Sequence, residues 1–110
     1  MTASDKEIDQ ILVDMRSAIV SKKYIPVPRR KNIETIARLG ITWSDALNEI
    51  YSLSRTDYIS GPEIDKDRPS SDMLWIFKKN VYGNLIYIKF KMEYQENGDV
   101  KIISFHFDNI

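Results

Sequence analysis

The side chain with the clearest potential for chemistry is His106, the sole histidine of the 110-residue chain. An imidazole changes its charge near neutrality, so it can give or accept a proton at physiological pH. His106 lies in a segment typical of a strand, in which side chains alternate between two faces. If this strand pairs with the preceding one, their open face collects Tyr87, Lys89, Ser104 and His106. A tyrosine, a lysine and a histidine without metal ligands beside them favour chemistry on a phosphodiester.

Alternation within the two strands predicts which side chains turn away from this open face. The apolar face of the earlier strand is predicted to consist of Ile86, Ile88, Phe90, Met92 and Tyr94. In the last strand, Ile103, Phe105 and Phe107 are expected to face the core, whereas Ile102 joins Ser104 and His106 on the open face.

Composition excludes several kinds of site. Without cysteine the chain has no disulfide framework, no zinc–thiolate site and no thiol nucleophile, and one histidine excludes a His-rich metal site. The run from Asp65 to Arg68 resembles a divalent-metal loop but lacks the spacing and glycine of a calcium loop. We therefore expect neither a metal nor a cofactor. The sequence predicts neither a leader nor a membrane-spanning stretch, and its 43% of hydrophobic residues is typical of a globular protein. Residues 1–110 are therefore expected to form one globular, cytoplasmic domain.

The net charge is zero, but the charges are unevenly distributed. Basic residues form two clusters along the chain, Lys22, Lys23, Arg29, Arg30, Lys31 and Arg38 in one, and Lys78, Lys79, Lys89 and Lys91 in the other. Such clusters permit nucleic-acid binding through phosphate contacts. A solvated surface of mixed charge is the alternative.

Three helices are predicted in the N-terminal half. Ser4 and Glu7 form a capping box in front of an apolar stripe of period 3.6. A short second helix is expected to run from an N-cap at Asn32 to Leu39, with Gly40 in the left-handed position that follows a helix end. The third is expected from Thr42-Trp43 to about Ser52. Tyr24–Pro28 contains two prolines and is predicted to be an extended connector or edge strand.

The C-terminal third has the pattern of strands. Met73–Lys79, Leu85–Tyr94 and Val100–Phe107 are predicted to form an antiparallel meander, and Ser54–Asp72 a long polar connection before it. Helices followed by an antiparallel sheet indicate an α+β fold with the helices on one face. The other face is then available for a ligand.

Several short segments occur in an order found in one family of bacterial proteins. They are Arg30, Leu39-Gly40-Ile41, Leu53-Ser54-Arg55-Thr56-Asp57-Tyr58, Leu74-Trp75, Ile86-Tyr87-Ile88-Lys89 and Ser104-Phe105. Between about Pro28 and His106 the chain thus resembles the MqsR family of toxins from type II toxin–antitoxin modules. These toxins belong to the wider RelE-like group of messenger-RNA endoribonucleases, or mRNA interferases.

The resemblance implies cleavage of mRNA without a metal, in which a ribose 2′-hydroxyl attacks the adjacent phosphorus. It places Tyr87 at an active-site tyrosine, His106 at an active-site lysine and Lys89 at a lysine of the same strand, as the catalytic residues. Phosphate-binding charge is expected from Arg30, and from one or more of three further cations, Lys66, Arg68 or Lys91. The resemblance also implies a cognate antitoxin protein as partner and leaves ribosome association open.

Two positions differ from the family pattern, Ser60 where a catalytic lysine is expected and Ile76 where a glutamine is expected. They favour an alternative function, a non-catalytic module that binds RNA or protein on the same fold. A purely structural role also stays open for Tyr87 as a half-buried strand residue. A sequence-specific DNA binder is less favoured, because neither Ile33–Leu39 nor Trp43–Ser52 has a basic recognition face.

Overall fold

The sheet has more strands than the meander that the sequence analysis predicts. The structure, a computed structural model, describes residues 2–68 and 71–108 and confirms the α+β fold, with three helices packed against a five-stranded mixed sheet. The helices are α1 (Asp5–Val20), α2 (Arg30–Leu39) and α3 (Trp43–Tyr51). The strands are β1 (Tyr24–Pro26), β2 (Tyr58–Ile64), β3 (Met73–Val81), β4 (Asn84–Glu93) and β5 (Asp99–Phe107).

The strands lie in the order β1-β5-β4-β3-β2, with β1 parallel to β5 and all other neighbours antiparallel. None of the helices in residues 2–68 and 71–108 has the length and hydropathy that crossing a membrane requires.

Local signals start two of the helices where the sequence predicts. At α1, the Ser4 hydroxyl accepts the Glu7 amide at 3.2 Å while the Glu7 carboxylate accepts the Ser4 amide at 3.0 Å. Thr42 and Asp45 form the same reciprocal pair at α3. Each box satisfies amides that have no partner inside the helix. The starts of α1 and α3 are therefore fixed locally.

The predicted start of α2 is wrong. The helix begins at Arg30, two residues before the expected N-cap Asn32, and Arg29 stands at the cap without a side-chain bond. Its end is confirmed, since Gly40 has φ +68° in the left-handed region.

Asn32 is fully buried, and its side chain forms hydrogen bonds with backbone groups along the edge of β5 instead of capping a helix. Its Nδ2 donates to the carbonyls of Val27 and Ile103, each at 3.0 Å, and its Oδ1 accepts the Phe105 amide at 3.0 Å. Thr35 accepts the Phe107 amide at 3.2 Å. Strand β1 pairs with Val100–Ile102 alone, so α2 covers the part of the β5 edge that would otherwise be unpaired.

The predicted connection Ser54–Asp72 contains a strand, which is the second correction. Strand β2 forms the outer edge of the sheet beside β3, with two irregularities in its register. Gly61 makes one of them possible, because its φ is +119° and a Cβ there would lie 2.7 Å from the Leu74 carbonyl oxygen. Gly61 and Pro62 weaken the strand pattern in the sequence, although an edge strand tolerates both residues.

The third correction concerns the faces of β5. Lys89 pairs with Ser104 but Phe90 pairs with Ile102, so Ile103 is an extra residue, a β-bulge. The bulge places Ile102, predicted on the open face, fully inside the core. Ile103, predicted in the core, lines the open face instead.

The core between sheet and helices contains most of the side chains predicted for it. Its largest fully buried side chains include Phe77, Phe90 and Phe105, and the rings of Phe77 and Phe90 stack with centroids 5.6 Å apart. Burial of such side chains contributes about 1.5–3 kcal/mol each. Because these residues belong to β3, β4 and β5, the core holds the three central strands in one register, which fixes the opposite face.

Candidate functional site

The open face brings together the four polar side chains that the sequence predicts. Tyr87 pairs directly with His106, and Lys89 pairs directly with Ser104. The rings of Tyr87 and His106 stack, with centroids 5.2 Å apart and planes 16° apart. Both side chains are half-buried. Neighbouring strands therefore hold a phenol and an imidazole against each other.

Backbone contact fixes the roles of the two imidazole nitrogens. Nδ1 of His106 lies 2.9 Å from the carbonyl oxygen of Phe107. Because a carbonyl oxygen can only accept, Nδ1 is the donor in this hydrogen bond. Nε2 is then the nitrogen left for proton transfer to a ligand.

Tyr87 is surrounded by charges of both signs. Lys78 is its cross-strand partner on β3, on the side opposite His106, and pairs with Asp108 at 3.0 Å. Burial raises the pKa of Tyr87, and the carboxylate of Glu63 raises it further, against the opposing effect of the Lys78 ammonium. The phenol therefore keeps its proton at neutral pH and can donate a hydrogen bond.

Arg29 is a site residue that the sequence analysis missed. Its Nη1 donates to the Ser104 hydroxyl at 3.4 Å, so its guanidinium lies beside the residue opposite Lys89. Arg30, which the resemblance selects, lies on the first turn of α2 with 91% of its side chain exposed and is paired with Glu34 at 2.9 Å. The sequence analysis misses this difference because it starts the helix at Asn32, which places both arginines in the connector before it.

The two positions that differ from the family pattern lie together on the open face. Ser60 pairs with Ile76, Ile76 with Lys89, and Lys89 with Ser104, so one row crosses four strands. Ser60 donates its hydroxyl to the Glu63 carboxylate at 2.6 Å. Where the resemblance expects a lysine, the row carries a hydroxyl bound to an acid.

A cleft of about 590 Å³ extends along the sheet from this row. Its cations come from three directions: Arg29 before α2, Lys66 and Arg68 on the loop after β2, and Lys89 and Lys101 on the sheet. Its acids are Glu63, Asp65 and Asp67. The cleft gathers Lys66, Arg68 and Lys89, three of the predicted site residues, and adds Arg29 and Lys101.

Lys91, predicted to bind phosphate, is buried in an ion pair. It is 4% exposed, and its ammonium lies 2.9 Å from Oδ2 of Asp65, which is 7% exposed. Burial acts to raise the pKa of Asp65, but the Lys91 ammonium and the amides of Arg68 and Asp67 more than offset it, and the net pKa is lowered. The charge of Lys91 is thus already compensated, and its role is to hold Asp65 rather than phosphate.

The longest segment of the family resemblance has structural roles in this fold. Leu53 is fully buried, and Ser54 and Asp57 cap one 3₁₀ turn. Arg55 pairs with Asp9 at 2.6 Å. The Tyr58 hydroxyl donates to the Gly61 carbonyl at 2.6 Å and accepts the Ala3 amide at 3.0 Å.

Side chains that could bind a metal do not converge anywhere among the described residues. Across residues 2–68 and 71–108, no three acidic or histidine side chains are placed so that they could hold a metal ion. The oxygens of Asp65, the acid that begins the metal-like sequence Asp65–Arg68, accept from Lys91 and from two backbone amides.

Comparison with protein-family models, with curated proteins and with solved structures finds no match for the chain.

Proposed function

We propose that the chain is a metal-independent endoribonuclease that cleaves messenger RNA on the open face of its sheet. The observation that carries the proposal is the stacked Tyr87–His106 pair, on the same open face as Lys89 and the Arg29–Ser104 contact. Lys89 and Arg29 also line the cationic cleft. Proton-transfer groups and phosphate-binding cations are the two components that RNA cleavage requires.

Cleavage begins when Nε2 of His106 accepts the proton of a ribose 2′-hydroxyl. The 2′-oxygen then bonds to the adjacent phosphorus, and the bond from phosphorus to the 5′-oxygen breaks. The departing oxygen takes a proton from Tyr87 or from a water that Tyr87 orients. The products are a 2′,3′-cyclic phosphate and a 5′-hydroxyl, and each positioned proton transfer contributes about 10²–10⁴ in rate.

Lys89 and Arg29 bind the phosphate as negative charge builds up on its oxygens. A guanidinium suits this role because its planar donors match phosphate oxygens. The Ser104 hydroxyl positions Arg29 through the contact at 3.4 Å. Lys89 approaches from the neighbouring strand, since it pairs with Ser104.

The resemblance supplies the biological setting of the proposal. The enzyme would act in the cytoplasm as the toxin of a type II toxin–antitoxin pair, and an antitoxin protein would neutralise it. A small neighbouring gene encoding a Cys-x-x-Cys zinc motif or a helix-turn-helix is the expected partner. Growth arrest on expression of the wild-type protein, relieved by coexpression of that neighbour, tests this setting.

One observation favours a second candidate function, a module that binds RNA without cutting it. Ser60 and Glu63 place an acid beside the row that contains Lys89, and this acid opposes phosphate binding close to Tyr87. In such a module the cleft would bind RNA, and Tyr87 and His106 would serve as a stacking surface.

A cleavage assay in EDTA separates the two functions. Wild type is expected to cut a defined mRNA into discrete fragments, and His106→Ala to cut it more slowly by about 10²-fold or more. Lys6→Ala removes an exposed α1 cation outside the cleft and is the matched control, which should cut like wild type. Circular dichroism checks that every variant is folded. Equal cleavage by wild type and His106→Ala would remove His106 from the mechanism, and RNA binding without cleavage would favour the module.

A further inference from the structure

The buried carboxylate of Asp65 anchors the loop that follows β2. Asp65 accepts the Lys91 ammonium with Oδ2 at 2.9 Å, and the amides of Asp67 and Arg68 with Oδ1 at 3.1 and 3.2 Å. Three bonds to one carboxylate fix the backbone of residues 65–68. The exposed side chains of Lys66 and Arg68 therefore extend from a fixed wall of the cleft.

The charge of the cleft is unbalanced. In the part of the chain that the structure describes, none of the ion pairs includes Arg29, Lys66, Arg68, Lys89 or Lys101. Of the three acids that line the cleft, Asp65 is compensated by Lys91, which leaves Glu63 and Asp67. Five cations against two acids give the cleft an excess of positive charge, which attracts a polyanion.

The cleft extends away from the Tyr87–His106 pair, whose side chains do not line it. Lys101 pairs with Lys91, which lies four residues along β4 from Tyr87. Four strand residues span about 13 Å. Phosphates of a stacked strand repeat about every 3.4 Å along its axis, so this distance covers about four nucleotides, or fewer if the strand is extended.

We propose that Lys66, Arg68 and Lys101 form a flanking subsite that binds phosphates of an unpaired RNA strand on one side of the Tyr87–His106 pair. A volume of about 590 Å³ lies within the size range of small-ligand pockets, which suits a few nucleotides of one strand rather than a duplex. Asp65 and Lys91 are the positioning residues of the subsite, because they hold its loop. The inference rests on the proposed function for the identity of the ligand as RNA, but not for its cleavage.

The test measures binding of a fluorescent 2′-O-methyl RNA octamer, which lacks the attacking hydroxyl, by anisotropy at several salt concentrations. Each phosphate contact on a single strand contributes about 0.7 to the slope of log affinity against log salt. Lys66→Gln/Arg68→Gln should therefore lower the slope by about 1.4 and weaken binding about 25-fold at about 0.1 M salt. Lys6→Gln removes an exposed cation outside the cleft and outside both basic clusters, and should bind like wild type.

Each outcome bears on the subsite separately from catalysis. Selective loss of binding in Lys66→Gln/Arg68→Gln supports the subsite even if the wild type cuts no RNA, and in that case the proposed cleavage alone fails. If the wild type cuts RNA while this variant keeps the wild-type affinity and salt slope, the subsite is refuted and cleavage stands. Absence of octamer binding by the wild type at low salt also refutes the subsite.

Discussion

Replacing Asp65 by asparagine should destabilise the fold far more than a surface substitution does. The change keeps an oxygen for the amides of Asp67 and Arg68 but removes the negative charge beside Lys91. The side chains of Lys91 and Asp65 are 5% and 10% exposed, so the Lys91 ammonium would be left without a counter-charge and largely without water. We expect loss of the charge to be the dominant effect.

The size of the effect follows from the geometry of the pair. Breaking a buried ion pair by removing one partner costs about 3–5 kcal/mol. Asp65 lies on a loop, and loop opening lets water reach Lys91, so we expect about 3 kcal/mol in the free energy of unfolding. For a chain of this length that lowers the midpoint of thermal unfolding by about 12 °C.

A double-mutant cycle with Lys91→Met isolates the interaction. Asp65→Asn/Lys91→Met removes both charges and should recover most of the loss, leaving it within about 1 kcal/mol of wild type, because a methionine packs well where the lysine stem was. Urea unfolding followed by tryptophan fluorescence gives the free energies, and Trp75, which is buried, is a suitable reporter. A cost below about 1 kcal/mol for Asp65→Asn, or a double variant as unstable as the sum of the single ones, would refute the reasoning.

The same pair predicts a pH dependence. Because the pKa of Asp65 is lowered in the folded protein, its carboxylate stabilises the fold above the unfolded value of 3.8. That stability is lost as the pH falls through the lower folded pKa. The difference between wild type and Asp65→Asn should therefore stay constant from about pH 7 to about pH 5 and shrink below about pH 4. A difference that grows on acidification would contradict the assignment.

Three further predictions test the elements that support the site. Asn32→Ala leaves the Ile103 carbonyl and the Phe105 amide at the β5 edge without their partner, and should lower the free energy of unfolding in urea by about 3 kcal/mol. A decrease below about 1 kcal/mol would show that these bonds from α2 do not stabilise the edge. Gly61→Ala places a Cβ 2.7 Å from the Leu74 oxygen and should lower the free energy of unfolding by about 2 kcal/mol or more. Gly40→Ala is the control, because its Cβ meets no atom within 4 Å, and it should lower the free energy of unfolding much less. Equal decreases would contradict the close approach at Gly61. In ultraviolet titration, the contribution of Tyr87, taken as wild type minus Tyr87→Phe, should ionise above about pH 10, and ionisation at or below that pH would contradict its burial.

Local signals explain which parts of the fold are predictable from the sequence. The capping boxes at Ser4 and Thr42 lie within four residues, and strand alternation is local too, so α1, α3 and the main strands follow from the sequence. The placement of Tyr87 and His106 on one open face also follows, because alternation separates both from the buried face, whereas their direct pairing is seen only in the structure. Strand β2 escapes prediction, because its Gly61-Pro62 pair is typical of a turn.

The parts of the site that escape prediction depend on contacts between distant residues. The bulge at Ile103 exchanges the faces of two isoleucines, which no alternation pattern reveals. Lys91 has the same charge as Lys89 in the sequence, and its ion pair with Asp65 spans 26 positions. Arg29 and Arg30 are neighbours of the same residue type, and only the position at which α2 begins distinguishes their surroundings. Non-local packing thus decides which cations are available to a ligand.

The end groups of the RNA fragments test the central claim most directly. Wild type in EDTA should produce 2′,3′-cyclic phosphate and 5′-hydroxyl ends, and a single 2′-deoxy substitution at the mapped cleavage position should abolish the cut there. His106→Ala should produce these ends about 10²-fold more slowly or slower still, while Lys6→Ala produces them at the wild-type rate. Fragments with 5′-phosphate ends, cleavage that tolerates the 2′-deoxy position, or no cleavage by the folded wild-type protein would contradict it.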